Sequence, residues 1–251
     1  MKKSIGLIGF GTIGQFIFSH LQEEYQISFI YDRLEPTIEE AKQFHVANRD
    51  QLLKKLAGTD LVIECAVAFL LVDLGPYIIK ASNLMPFSLT AFADDTFTEK
   101  INKLAKEYGH NVYIPHGAIL GLDGIFDGRE ILEKVSITTI KRPKNLGLDN
   151  TELMVVYSGA TREACRLFPR NVNVHAALAL SGLGMDNTQS IIISDPNAPG
   201  NKHVIEVIAN GCNFNIEVLS NAGKGVTGAY TPVSAVANVR RVLGSGNTIV
   251  I

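Results

Sequence analysis

The side chains that could move a proton or hold an anion are few and scattered. His203 follows Asp195-Pro196-Asn197-Ala198-Pro199-Gly200-Asn201-Lys202, whose Asn, Pro and Gly mark a surface loop. An imidazole with an ordinary pKa of about 6.5 suits general acid–base work near neutrality, and loops on rigid elements often carry such groups. Judged on its own segment, His203 reads instead as a solvent-exposed histidine opening a strand. Phe168-Pro169-Arg170-Asn171-Val172-Asn173-Val174-His175 leads into a helix. Asn171 or Asn173 is a helix N-cap, or an amide that touches a bound cofactor. Arg170 is a surface arginine, or a bidentate carboxylate partner. His175, between Val174 and Ala176, reads as structural, and His116 beside Gly117 is ambiguous. Glu64 closes an apolar run as either a functional carboxylate or a buried backbone partner. The histidines lack metal-ligand spacing, and no G-x-S-x-G occurs.

The most specific pattern lies at the start. Ser4–Ile8 is a short apolar run that feeds into Gly9-Phe10-Gly11-Thr12-Ile13-Gly14. Ile13, Phe16, Ile17 and Leu21 then fall on one helical face. A strand, a G-x-G-x-x-G loop and a helix open a dinucleotide-binding fold. Gly9 allows the tight turn, Gly11 lets a pyrophosphate approach the backbone, and Gly14 lets helix and strand pack closely. Thr12 and Ile13 begin the helix, whose free N–H groups and dipole favour phosphate. A second apolar run, Ile27–Tyr31, ends at Asp32, 23 residues after Gly9. An acid at that place is expected to bind the adenosine ribose hydroxyls. The expectation is an NAD cofactor, with NADP as the alternative because Arg33 stands beside Asp32.

The totals agree with a globular protein that has a real core. The chain has 251 residues, 46% hydrophobic and 19% charged, with a net charge of −2. That balance gives no reason to expect nucleic acid or a membrane surface as partner. Leu61–Leu74 is interrupted by Glu64 and Asp73, so it is not expected to span a membrane. Lys2-Lys3 precedes an apolar run, but three glycines in six residues suit a signal peptide poorly. Cys65, Cys165 and Cys212 are far apart and read as small buried thiols of a reducing compartment. A cytoplasmic location is expected.

The predicted architecture is α/β: a Rossmann-type parallel sheet domain and a second α+β domain of mostly antiparallel sheet with helices on one face. Strands are predicted at Ser4–Ile8, Ile27–Tyr31, Asp60–Cys65, Phe87–Ala91 and Val112–Ile114. Helices are predicted at Gly11–Glu24, Pro36–Phe44, Asp50–Leu56, Phe69–Ala81 and Thr96–Tyr108. Such alternation builds βαβ units. After Pro115 come β-rich runs at Val135–Ile140, Leu153–Tyr157, Ser190–Ile193, His203–Ile208 and Phe214–Leu219. Helices Thr161–Leu167 and Asn173–Leu183 lie among them, and Asn210-Gly211 suggests a hairpin turn. The expected division is 1–115 for the dinucleotide-binding domain, completed by a C-terminal helix in 231–251. Residues 116–230 would form the substrate, catalytic and dimerisation domain.

Together these segments resemble the L-aspartate dehydrogenase family over nearly the whole chain. The resemblance is carried by Gly9–Gly14, Tyr31-Asp32-Arg33, Ser88-Leu89-Thr90-Ala91-Phe92-Ala93-Asp94 and Gly117-Ala118-Ile119-Leu120-Gly121-Leu122-Asp123. Phe168–Val174 and Asp195-Pro196 followed by Asn201-Lys202-His203 complete it. The resemblance implies that His203 is the active-site histidine, and that Ala118 and the Asn171/Asn173 segment contact NAD. It also implies a homodimer that oxidises L-aspartate to iminosuccinate, which hydrolyses to oxaloacetate and ammonia or feeds NAD biosynthesis. A dicarboxylic amino acid needs cationic or N–H partners, for which Arg170, Lys202 and the helix start near Asn173 are the candidates, with His116 as a competing group. Two positions depart from the pattern: His116 replaces a usual serine, and Gly225–Pro232 lacks Asn-x-Lys-Thr-Ser. A dehydrogenase of another small amino or hydroxy acid, or a non-enzymatic NAD-sensing regulator, is the alternative.

Overall fold

The structure, a computed structural model, describes residues 2–221 and 228–244. Two compact units divide the chain, with boundaries after Pro115 and again before Pro232.

In unit 1 the chain runs β1 (Ser4–Ile8), α1 (Thr12–Leu21), β2 (Gln26–Tyr31), α2 (Glu39–Lys42), β3 (His45–Val46) and α3 (Arg49–Leu56). It continues through β4 (Leu61–Glu64), α4 (Ala68–Ala81), β5 (Asn83–Pro86), a 3₁₀ turn (Leu89–Ala93) and α5 (Asp95–Tyr108). Five parallel strands lie in the order β3-β2-β1-β4-β5, so the strand order reverses between β1 and β4. In open sheets of this kind ligands bind outside the carboxyl ends of the strands at that reversal. β1 is buried along its whole length, which explains the apolar run that follows Ser4. Ile5, Leu7, Phe18, Ile30 and Ile63 share one core with Ala235, Val236 and Val239. Those last three lie on α10 (Tyr230–Leu243).

Several expected elements differ. Phe87–Ala91 is not a strand: β5 lies four residues earlier and ends at Pro86. Glu64 then takes hydrogen bonds from the amide and hydroxyl of Ser88, which draws the chain into the 3₁₀ turn. Val112–Ile114 makes only a single parallel bridge, Val112 to Leu84. The helix expected over Pro36–Phe44 shrinks to α2, because the chain must extend at His45 to pair with Ile30. Of the cysteines only Cys165 is buried; Cys65 is half-buried and Cys212 exposed.

In unit 2 the elements are α6 (Leu122–Asp127), a 3₁₀ turn (Arg129–Ile131), β6 (Leu132–Lys141), α7 (Pro143–Leu146), β7 (Met154–Ala160) and α8 (Thr161–Leu167). Then come α9 (Asn173–Ser181), β8 (Thr188–Ser194), β9 (Gly200–Ala209) and β10 (Cys212–Asn221). The sheet order is β10-β9-β6-β8-β7, antiparallel except for the β6–β8 pair. Asn210-Gly211 closes the β9–β10 hairpin, with Ala209 opposite Cys212. Alternate residues of β6, namely Val135, Ile137, Thr139 and Lys141, are all buried. Strand side chains alternate between faces, so a threonine and a lysine share the inner face with the core. His203, Ile205 and Val207 do the same on β9.

Candidate functional site

Unit 1 presents a nucleotide cradle. Gly9 has φ +89°, and a Cβ there would come within 2.8 Å of the Cys65 carbonyl oxygen, so only glycine fits. At Gly14 a Cβ would lie 2.4 Å from the Gly9 carbonyl oxygen, so any side chain would push α1 off β1. The space around Gly11 is open to at least 4 Å. α1 starts with neither a capping side chain nor an acid in its first turn, leaving its first N–H groups for an anion. Thr12 is exposed and Ile13 is half-buried against the core. The Phe10 amide donates to Asp32 Oδ2 at 2.7 Å, and the Leu34 amide donates to Oδ1 at 3.1 Å. The acid at the end of β2 is thereby tied to the glycine loop. These features fit a dinucleotide with a ribose at Asp32.

Glu64 is fully buried at the end of β4. It accepts from the Ala66 amide at 2.8 Å, the Ser88 amide at 3.1 Å and the Ser88 hydroxyl at 2.8 Å. Burial outweighs these donors and raises its pKa to about 7. Of the two sequence readings, the backbone-partner one describes these contacts. A surface depression of unit 1, about 500 Å³, is lined by Gln26, His45, Lys55 and Gly58 among others. It sits at the amino ends of β2 and β4, the wrong end of a parallel sheet for a nucleotide.

Unit 2 holds a buried polar cluster. Thr139 on β6 lies directly opposite His203 on β9. Its Oγ1 is 2.8 Å from His203 Nδ1 and 2.6 Å from His175 Nε2. His175 Nδ1 is 2.8 Å from Ser190 Oγ, which is 2.8 Å from Thr161 Oγ1. The Thr161 hydroxyl donates to the Thr188 carbonyl at 2.9 Å. His203 is 4% exposed, which corrects its reading as a solvent-exposed strand residue. Its place on the inner face of β9, with Ile205 and Val207, is the cause. Burial, reinforced by the charge of Lys141, lowers its pKa to about 3. His175 is driven well below its ordinary value, first by burial and then by His203 and Lys141. Both rings are therefore neutral at neutral pH.

Lys141 was not among the candidates of the sequence. It is 4% exposed on the inner face of β6, two residues beyond Thr139. Its Nζ donates to the carbonyl and the Oδ1 of Asn171, each at 3.3 Å. No carboxylate pairs with it among the described residues, and burial lowers its pKa to about 8. A buried ammonium satisfied only by amide oxygens is poised to take an anion.

The remaining candidates divide. Asn171 reaches the cluster through Lys141, and Asn173 opens α9 two residues before His175. Neither caps the helix: the cap position is Val172, and no side chain bonds there. The His116-Gly117-Ala118 turn lies beside the start of α9, with Val174 nearest Gly117. His116 and Ala118 are half-buried. Arg170 is exposed. Lys202 is not brought to the cluster: it adjoins His203 on a strand and so faces the other side of the sheet. There it pairs with Glu217 at 2.8 Å. Residues 225–227 of the departing stretch Gly225–Pro232, and 245–251 of the C-terminal segment, lie outside the described residues.

A family model described as "Aspartate dehydrogenase, C-terminal" matches residues 126–242. One described as "Homoserine dehydrogenase, NAD binding domain" matches residues 9–115. The L-aspartate dehydrogenase of Methanococcoides burtonii is 31% identical, over 95% of this chain and 96% of its own length. The chain belongs to the L-aspartate dehydrogenase family. It is therefore an oxidoreductase with an NAD-binding Rossmann-type domain. The L-aspartate dehydrogenase of Nitrosopumilus maritimus is 30% identical over 95% of this chain and 96% of its own length. The crystal structure of aspartate dehydrogenase from Thermotoga maritima matches with a TM-score of 0.81 and 27% identity. That match covers 100% of this chain and 99% of the other. No helix among the described residues is long and apolar enough to cross a membrane.

Proposed function

We propose that this enzyme oxidises L-aspartate to iminosuccinate with NAD, that water converts the imine to oxaloacetate and ammonia, and that His203 is the acid–base group. The observation that supports this most is a neutral, buried imidazole on the same inner sheet face as a lysine with no carboxylate partner among the described residues. The nicotinamide cofactor supplies the hydride acceptor when bound. Gly9, Gly11, Thr12, Ile13 and Gly14 would hold its phosphates and Asp32 its ribose; the family resemblance adds Ala118, Asn171 and Asn173 as residues that would bind it.

The chemistry asks for one base and one anion site. Hydride leaves the aspartate Cα only when the nitrogen lone pair is free to form C=N, so the ammonium must first lose a proton. The imine then needs a water activated by a base, and the carbinolamine needs an acid to release ammonia. His203 Nε2 takes the ammonium proton and releases it to solvent, then takes a proton from the attacking water and returns it to the departing amine. Lys141 takes a substrate carboxylate, the role that Lys202 cannot fill from the opposite face, and Arg170 is a second candidate. Burial is the main cause of the low His203 pKa and the Lys141 charge the smaller one; a bound carboxylate near Lys141 offsets that smaller part, so the substrate restores some basicity to its own base.

On the same reading iminosuccinate that leaves before hydration is available to NAD biosynthesis. The enzyme works in the cytoplasm as a homodimer. The dimer is supported by the outer sheet face of unit 2, where half-buried Ile140 pairs with Ile193, and Thr138 with Ile191 and Val204. An absorbance assay at 340 nm against a panel of amino acids and 2-oxo acids tests the reaction. L-aspartate should give the highest kcat/KM. Turnover of a different amino acid alone, or of none, would overturn the assignment.

A further inference from the structure

The buried contacts of unit 2 form one hydrogen-bonded line: Thr188 carbonyl, Thr161, Ser190, His175, Thr139, His203. Each hydroxyl has a single proton to donate, and each neutral imidazole has one N–H and one lone pair. The direction of the line follows from its far end. A carbonyl only accepts, so Thr161 must spend its proton on Thr188. Ser190 must then donate to Thr161, and His175 Nδ1–H must donate to Ser190. That leaves His175 Nε2 as a lone pair, which accepts from the Thr139 hydroxyl. Thr139 in turn can only accept from His203 Nδ1–H. The lone pair of His203 is thereby forced onto Nε2, the nitrogen with no partner among the described residues.

We propose that Thr161, Ser190, His175 and Thr139 are positioning residues that lock His203 in its Nδ1–H tautomer, leaving Nε2 as the base. This rests on the reading of His203 as the acid–base group. With the opposite polarity Nε2 would carry a proton and could accept none from substrate. The line is anchored on a β8 backbone carbonyl, so the tautomer is set by the fold and exists before substrate arrives. The histidine on α9 has its own part in this. His175 inverts donor and acceptor between two hydroxyls, which a hydrophobic residue of equal size could not do.

Ser190→Ala removes the acceptor of His175 Nδ1–H. Buried N–H groups without a partner are rarer than unsatisfied acceptors. His175 should therefore move its proton to Nε2 and donate to Thr139. The Thr139 hydroxyl then turns to His203 Nδ1, and His203 becomes the Nε2–H tautomer. Nitrogen-15 NMR of the histidine side chains in the full-length protein reads this directly. The expected result is Nδ1–H for His203 in the wild type and in Thr139→Ser, and Nε2–H in Ser190→Ala. With that switch kcat should fall about 10²-fold, the scale of losing a positioned base, with KM for aspartate unchanged. Nε2–H in the wild type overturns the proposal, as does an unswitched Ser190→Ala or loss of the tautomer in Thr139→Ser. The wild-type and Thr139→Ser spectra decide the matter even if Ser190→Ala does not fold. Full turnover by His203→Ala would instead remove the acid–base role, while the tautomer measurements would still judge the line on their own.

Discussion

Thr139 and His203 face each other across the β6–β9 pair, with Thr139 Oγ1 2.8 Å from His203 Nδ1. The contact engages one ring nitrogen and leaves the other without a hydrogen-bond partner among the described residues. The imidazole also stays neutral, because a buried ring with Lys141 nearby resists a second proton.

The pH dependence follows from Lys141 rather than from the histidine. His203, with a pKa lowered to about 3, stays neutral from mildly acidic pH upward. Lys141, lowered to about 8, loses its charge above that pH in the free enzyme. Its hold on a carboxylate is present below about 8 and fades above it, so kcat/KM should fall on the alkaline side. A bound carboxylate raises the lysine pKa again, so kcat at saturation should keep rising as the substrate amine loses its proton. Lys141→Arg should move the alkaline limb of kcat/KM upward, since guanidinium stays charged. Lys141→Met should raise KM for aspartate about 10-fold or more, the scale of losing one charge-assisted hydrogen bond. Steady-state kinetics from about pH 6 to 10 check both variants, and an unshifted limb in Lys141→Arg would move the assignment to another group.

Cofactor choice rests on Asp32, whose carboxylate should accept from ribose hydroxyls and repel a 2′-phosphate. NAD should therefore bind more tightly than NADP, with NADP tolerated because exposed Arg33 adjoins the acid. Asp32→Ala should narrow the gap. It should also loosen the glycine loop, since the Phe10 amide loses its partner. Fluorescence titration with NADH and NADPH measures both, and a wild-type preference for NADPH would reverse the assignment.

The outer face of the unit 2 sheet carries Ile140, Ile191, Ile193 and Val204, all half-buried in a single chain. A second copy should cover it, and multi-angle light scattering at micromolar concentration should give twice the chain mass. Ile193→Lys should shift the equilibrium toward monomer. A monomeric wild type would contradict the dimer.

Much of the parallel sheet is legible in the sequence because its signals are local. Gly9 to Gly14 and Asp32 announce themselves through spacing, and β1 through its short apolar run. The differences arise where distant residues decide. Ser88 leaves the extended state because Glu64, 24 residues earlier, bonds it. Lys141 escapes notice because a lysine ending a β-rich run looks solvated. The alternation Val135, Ile137, Thr139, Lys141 does mark its face as the buried one. The same count on His203, Ile205 and Val207 contradicts an exposed histidine. The polar line that ends at His203 has no sequence signature, because its members, His203 included, come from five separate elements.

The acid–base role of His203 is tested most directly by kcat of His203→Ala with L-aspartate, measured beside His116→Ala and with NADH affinity as the control for folding. The expected result is a fall of about 10²–10⁴-fold for His203→Ala, the usual contribution of a positioned acid–base group, with NADH affinity nearly unchanged and His116→Ala close to wild type. Full turnover by His203→Ala together with its loss in His116→Ala would contradict this role and transfer it to His116.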